Sequence, residues 1–193
     1  MRICVYGAGA IGGNFAGRLA DAGNEVSIVA RGAHLEAIRA RGLTLLAGDK
    51  KITAKVKASD RPADLGPQDA VLVTLKASGQ HVLADNIEPL LGPDTAVAFV
   101  QNGIPWWYGH GLSKSRPPAP DLSRLDPGGA LAKSVGLHRV VGAVVSSPNH
   151  VIEPGVVENE VPDRNILWVG EPDDRPSPRI EALRNALKAA GIA

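Results

Sequence analysis

The chain has 193 residues, room for one good-sized domain and hardly two. Its 21 basic and 20 acidic side chains nearly cancel, with no basic tail, so neither nucleic acid nor an anionic membrane is an expected partner. No stretch approaches the roughly 18 apolar residues of a membrane span, Cys4 has no second cysteine for a disulfide, and the five histidines (His34, His81, His110, His138, His150) lack metal-ligand spacing, so no metal is expected.

Residues 2–6 read as a buried strand rather than a signal peptide. The glycine turn Gly7-Ala8-Gly9-Ala10-Ile11-Gly12 follows, then a helix from about Ala10 to Ala22, stopped by Gly23. A second strand over 25–30 ends at Arg31. A short helix over 34–41 stops at Gly42. Residues 43–47 and 52–57 predict two strands joined by a Gly48-Asp49 turn. A buried strand over 71–75, a helix over 79–91 and a buried strand over 96–100 complete the alternating part.

The pattern then changes. Residues 105–130 are rich in Pro and Gly and predict a long loop, partly disordered around 113–128. Within it, Trp106-Trp107-Tyr108 are read as packing residues rather than as a roof over a ligand. Residues 140–146, 151–157 and 166–169 read as antiparallel strands added to the sheet edge. A final helix over 178–190 has Ser177 as N-cap, Pro178 at its first position, and an apolar face of Ile180, Leu183, Ala186 and Leu187. The expected fold is α/β: one Rossmann-type, doubly wound, mostly parallel sheet with antiparallel edge strands, in a single domain over 1–193.

The glycine turn follows an apolar strand and opens a helix within a βαβ unit of about 30 residues, the context that makes GxGxxG specific for a dinucleotide. Gly7 permits the turn, Gly9 lets the backbone approach a pyrophosphate, and Gly12 lets helix and strand pack closely. The anion then lies at the helix N-terminus, beside Ala10 and Ile11. A ligand-free glycine turn is the plainer alternative. Arg31 refines the ligand. NAD-binding chains place a carboxylate near this point, whereas a guanidinium suits a 2′-phosphate, so the expected cofactor is NADP.

Lys76 and Asn102 directly follow two apolar strands, at the carboxyl edge where ligands of open α/β sheets bind. Both strands are expected beside the first, placing both side chains in the crevice of the glycine turn. An ammonium there suits a phosphate, a ribose hydroxyl or a substrate carboxylate; an amide suits hydroxyl and carbonyl oxygens. The plainer alternative is that both cap strands and face water.

Taken together, Gly7-Ala8-Gly9-Ala10-Ile11-Gly12, Ala30-Arg31-Gly32 with His34-Leu35, Lys76-Ala77 and Gln101-Asn102-Gly103 resemble the ketopantoate reductases (2-dehydropantoate 2-reductases) in order and spacing. Glu153-Pro154-Gly155-Val156-Val157 and Val169-Gly170-Glu171 resemble the same family's edge strands. The resemblance implies NADPH-dependent reduction of ketopantoate to pantoate, toward pantothenate and coenzyme A; the lone cysteine fits a reducing cytoplasm. It assigns Lys76 to cofactor ribose and substrate, and Asn102 to the nicotinamide and substrate region. It also implies a second, helical domain carrying the lysine general acid. Nothing here matches that domain, so the chain is expected to be the cofactor portion of a truncated or split protein, with no catalytic residue of its own. NADPH binding with little turnover is expected, as is a homodimer formed through an unfinished apolar face. A reductase of another 2-oxoacid, and an NADPH-binding module or sensor without catalysis, are the alternatives.

Overall fold

The computed structural model describes all 193 residues. An apolar strand such as Ile3-Cys4-Val5 has no polar face and needs cover on both sides. It forms β1 (Arg2–Tyr6), followed by α1 (Ala10–Asp21), β2 (Glu25–Val29), α2 (Gly32–Arg41), β3 (Leu43–Ala47), β4 (Lys50–Ala54), β5 (Lys57–Ser59) and β6 (Gln68–Val73). Then come α3 (Leu83–Asn86), β7 (Leu91–Val100), α4 (Ala130–Val135), β8 (Val140–Ser146), β9 (Asn149–Glu153), β10 (Val156–Asn159), β11 (Ile166–Gly170) and α5 (Pro178–Ala189).

The main sheet has seven strands in the order β11-β8-β7-β6-β1-β2-β5, all parallel except β11, which runs antiparallel to β8. One face is covered by α1 and α5, through Phe15, Leu19, Ile180, Leu183 and Leu187. The other carries Leu83, Ile87, Leu131, Val135 and Trp106. Trp106 meets Phe99 edge-to-face, with centroids 5.3 Å apart, and Trp107 lies over Gly142. Both tryptophans therefore pack.

Three expectations are corrected. The helix over 79–91 is broken: a 3-10 helix over Ala77–Val82, the single turn α3, and a second 3-10 piece over Glu88–Leu90. Pro89 lacks an amide donor and sits at the start of the second 3-10 piece, where a continuous α-helix would need that donor. The strand expected over 52–57 is two: β4 pairs with β3, and after Ala54 the chain crosses to the main sheet, where β5 pairs with β2. Of the strands taken as antiparallel additions, β8 is parallel to β7, while β9 and β10 leave the main sheet altogether. They join a second sheet ordered β4-β3-β10-β9, in which β10 lies parallel to β3. Glycines on α1 permit this. A Cβ on Gly13 would lie 2.5 Å from Val157 Cγ2, and one on Gly17 would lie 3.1 Å from Leu45 Cβ. α1 is thus held between two sheets.

Elsewhere the punctuation holds. Gly23 and Gly42 follow α1 and α2 with φ of 84° and 82°, Gly48-Asp49 joins β3 to β4, and the Ser177 hydroxyl accepts from Ile180 N–H to cap α5. Residues 105–126 contain turns and neither helix nor strand. No helix is long and apolar enough to cross a membrane.

Cys4 is fully buried in β1, and burial pushes its thiol up to about 12. Iodoacetamide at pH 8 should leave the native chain unlabelled and modify Cys4 fully in denaturant. Fast labelling of the native chain, read by mass spectrometry, would contradict this burial.

Candidate functional site

The carboxyl ends of the central strands open into one cleft of about 940 Å³. Its walls are the residues where four strands stop: Tyr6 to Gly9 after β1, Ala30 and Arg31 after β2, Asp60 after β5, and Leu75 and Lys76 after β6. His34 of α2 and Val151 of β9 complete one side.

The turn after β1 owes its shape to missing side chains. Gly7 has φ of 105°, and a Cβ there would lie 2.8 Å from Leu75 Cδ2. A Cβ on Gly12 would lie 1.9 Å from the Gly7 carbonyl oxygen and 2.5 Å from Thr74 Oγ1. A Cβ on Gly9 would meet nothing within 4 Å, because that residue faces open space. The Thr74 hydroxyl donates to the Gly7 carbonyl, and Gly7 N–H donates to Val29 O at 2.9 Å. Gly9 is the N-cap of α1, with no side-chain cap and no acidic residue in the first turn. The first amides of α1, from Ala10 and Ile11 onward, are therefore free to meet an anion.

Arg31, the N-cap of α2, is exposed at the cleft and forms no ion pair. Tyr6 lies behind it. Burial and the neighbouring Cys4 raise its phenol pKa against the opposing pull of Arg31, so it stays neutral. Asp60 lies 3.8 Å from Arg39, which offsets its charge. Lys76 is exposed at the end of β6 and begins the Ala77–Val82 helix. Buried Gln80 fixes that segment, donating to Gln101 Oε1 at 2.5 Å and so tying the exits of β6 and β7 together.

Gly7, Ala8, Gly9, Arg31 and Lys76 thus share one cleft. Ala10, Ile11 and Gly12 do not line it; they open α1 directly after Gly9. Asn102 does not line it: β7 lies one strand beyond β6, and Asn102 Oδ1 accepts from Val145 N–H at 3.2 Å. Sequence reasoning gave no role to Asp60, His34 or Thr74. Asp60 follows β5, which runs past the end of the strand expected over 52–57, and Thr74 and His34 make contacts that only the fold creates.

A glycine turn feeding a helix at the centre of a parallel sheet is the arrangement of dinucleotide-binding α/β domains. The chain belongs to the ketopantoate reductase family: the family profile described as ketopantoate reductase PanE/ApbA matches residues 3–110. A 2-dehydropantoate 2-reductase from Mesorhizobium japonicum is 43% identical over 193 residues, covering 100% of this chain and 58% of that protein. A structure described as a ketopantoate reductase, from Ralstonia solanacearum MolK2, superposes with a TM-score of 0.88 at 36% identity, covering 99% of this chain and 58% of its own. The 2-dehydropantoate 2-reductase structure from Geobacter metallireducens GS-15 has a TM-score of 0.78 at 28% identity, covering 100% and 56%. The chain therefore spans between half and two thirds of the length of these relatives.

The glycines make separable predictions. Gly12→Ala forces a methyl into a backbone carbonyl and should destabilise the chain by about 2 kcal/mol or more in urea unfolding. Gly9→Ala, facing open space, should change stability by about 0.5 kcal/mol or less.

Proposed function

We propose that this chain is the cofactor-holding portion of an NADPH-dependent 2-dehydropantoate 2-reductase. The observation that carries this reading is an unpaired cation, Arg31, in the same cleft as an uncapped helix N-terminus and an open glycine turn. The residues present suit the cofactor. The open space at Gly9 leaves room for a diphosphate, and the free amides of Ala10 and Ile11 match its charge. Arg31 would hold the 2′-phosphate through charge-assisted bonds. Asp60 is the one group in the cleft that favours an unphosphorylated ribose, and Arg39 offsets it.

When bound, NADPH supplies the hydride. The protein's part is to bind, orient and stabilise developing charge. Lys76 stands at the strand end where it can meet a ribose hydroxyl or the carboxylate of a 2-oxoacid; Asn102, outside the cleft in this structure, would add contacts toward the nicotinamide and substrate only for a ligand that reaches past β6 to the end of β7. The general acid for the ketone oxygen is assigned to a second domain, because Lys76 is committed to binding. A homodimer and a cytoplasmic setting accompany this reading.

Two outcomes test it. Arg31→Ala should weaken NADPH binding about 10- to 100-fold in a fluorescence titration and leave NADH within about 2-fold; equal losses would refute the phosphate assignment. Residues 1–193 with NADPH and 2-dehydropantoate should turn over far below about 1 per second. A rate ordinary for a complete enzyme would show that the acid is already in this chain.

A further inference from the structure

His34 is the third residue of α2, one turn beyond Arg31. Its Nδ1 accepts from Gly155 N–H at 3.0 Å. Gly155, in the turn between β9 and β10, has φ of 83° and lies so close to α2 that a Cβ would come within 3.0 Å of Ala37 Cβ. A ring nitrogen that accepts cannot carry the proton, so the neutral ring is protonated at Nε2. Burial lowers the ring's pKa and so maintains that neutral form.

Nε2 is buried and has no partner at hydrogen-bonding geometry. A buried donor without an acceptor is costly and calls for an explanation. The Ala8 backbone, inside the glycine turn, lines the same cleft as the ring and opposes the burial effect on its pKa. His34 therefore stands between the hairpin of the second sheet and the turn that would carry a diphosphate. The carbonyl and N–H of a trans peptide point in opposite directions. An Ala8 carbonyl drawn toward the ring turns the next N–H, that of Gly9, away from it.

We propose that His34 is a positioning residue for the glycine turn: its Nε2–H donates to the Ala8 carbonyl as a dinucleotide engages, orienting the Gly9 amide toward the diphosphate. The hairpin turn at Gly155 holds the ring in place, which gives the second sheet a part in cofactor binding. This inference rests on the dinucleotide reading. It differs from the role of Arg31 because the diphosphate is common to NADPH and NADH.

The test uses the full chain with two substitutions. His34→Asn keeps an acceptor at the δ position for Gly155 and lacks the ε donor. His34→Gln places an amide N–H near the ε position. The expected result for His34→Asn is a wild-type melting midpoint, with Kd for NADPH and NADH raised by the same factor, about tenfold. His34→Gln should restore both to within about 3-fold of wild type. The inference is overturned if folded His34→Asn binds both cofactors like wild type, if NADPH alone is weakened, or if folded His34→Gln loses as much as tenfold. Should His34→Asn fail to fold, the glutamine arm decides alone. Wild-type chain that binds neither cofactor overturns the dinucleotide reading itself, and the inference with it.

Discussion

Close approach of α1 to β1 governs most of this structure. At Gly12 the helix comes so near the turn that a single methyl would lie 1.9 Å from a carbonyl oxygen. One residue further, Gly13 admits Val157 of the second sheet, and Gly17 admits Leu45. Three absent side chains on one helix thus allow it to pack between two sheets. Its N-terminus then falls at the carboxyl edge of the central strands, where its free amides face a cleft instead of a neighbouring element.

Charge is distributed around that cleft with some economy. Arg31 and Lys76 arrive from the ends of two strands flanking β1, and neither is engaged in an ion pair. Asp60 is the carboxylate among the lining residues, and Arg39 stands beside it. The remaining polar groups hold the scaffold. Thr74 ties the exit of β6 to the glycine turn, and Gln80 ties the exits of β6 and β7 to each other. The strand exits that frame the cleft are therefore tied to one another within the chain itself.

Local rules made much of this legible. The glycine turn, the stops at Gly23 and Gly42, and the Ser177-Pro178 helix start depend on backbone geometry within a few residues, and each is where the residue types predict. The failures lie where partners are distant in sequence. Alternation in residues 151–157 predicts strands but cannot say that Val157 will meet Leu45 and α1 instead of the edge of the main sheet. The helix expected over 79–91 has an apolar pattern, yet Pro89 interrupts it and short turns suffice to bury Leu83, Ile87 and Leu90. Lys76 could be placed from its strand alone. Asn102 could not, because its distance from the cleft depends on strand order, and β6 stands between β7 and β1.

Under the proposed function, a phosphorylated dinucleotide would lie along the cleft from the glycine turn to Arg31. Backbone amide NMR of the isotope-labelled chain during an NADPH titration tests it most directly. The largest saturable shifts should fall on Ala8 to Gly12 and on Arg31 and Gly32, with the Arg31 and Gly32 shifts much reduced for NADH. Saturable shifts confined to another face, or no shifts at millimolar NADPH, would contradict it.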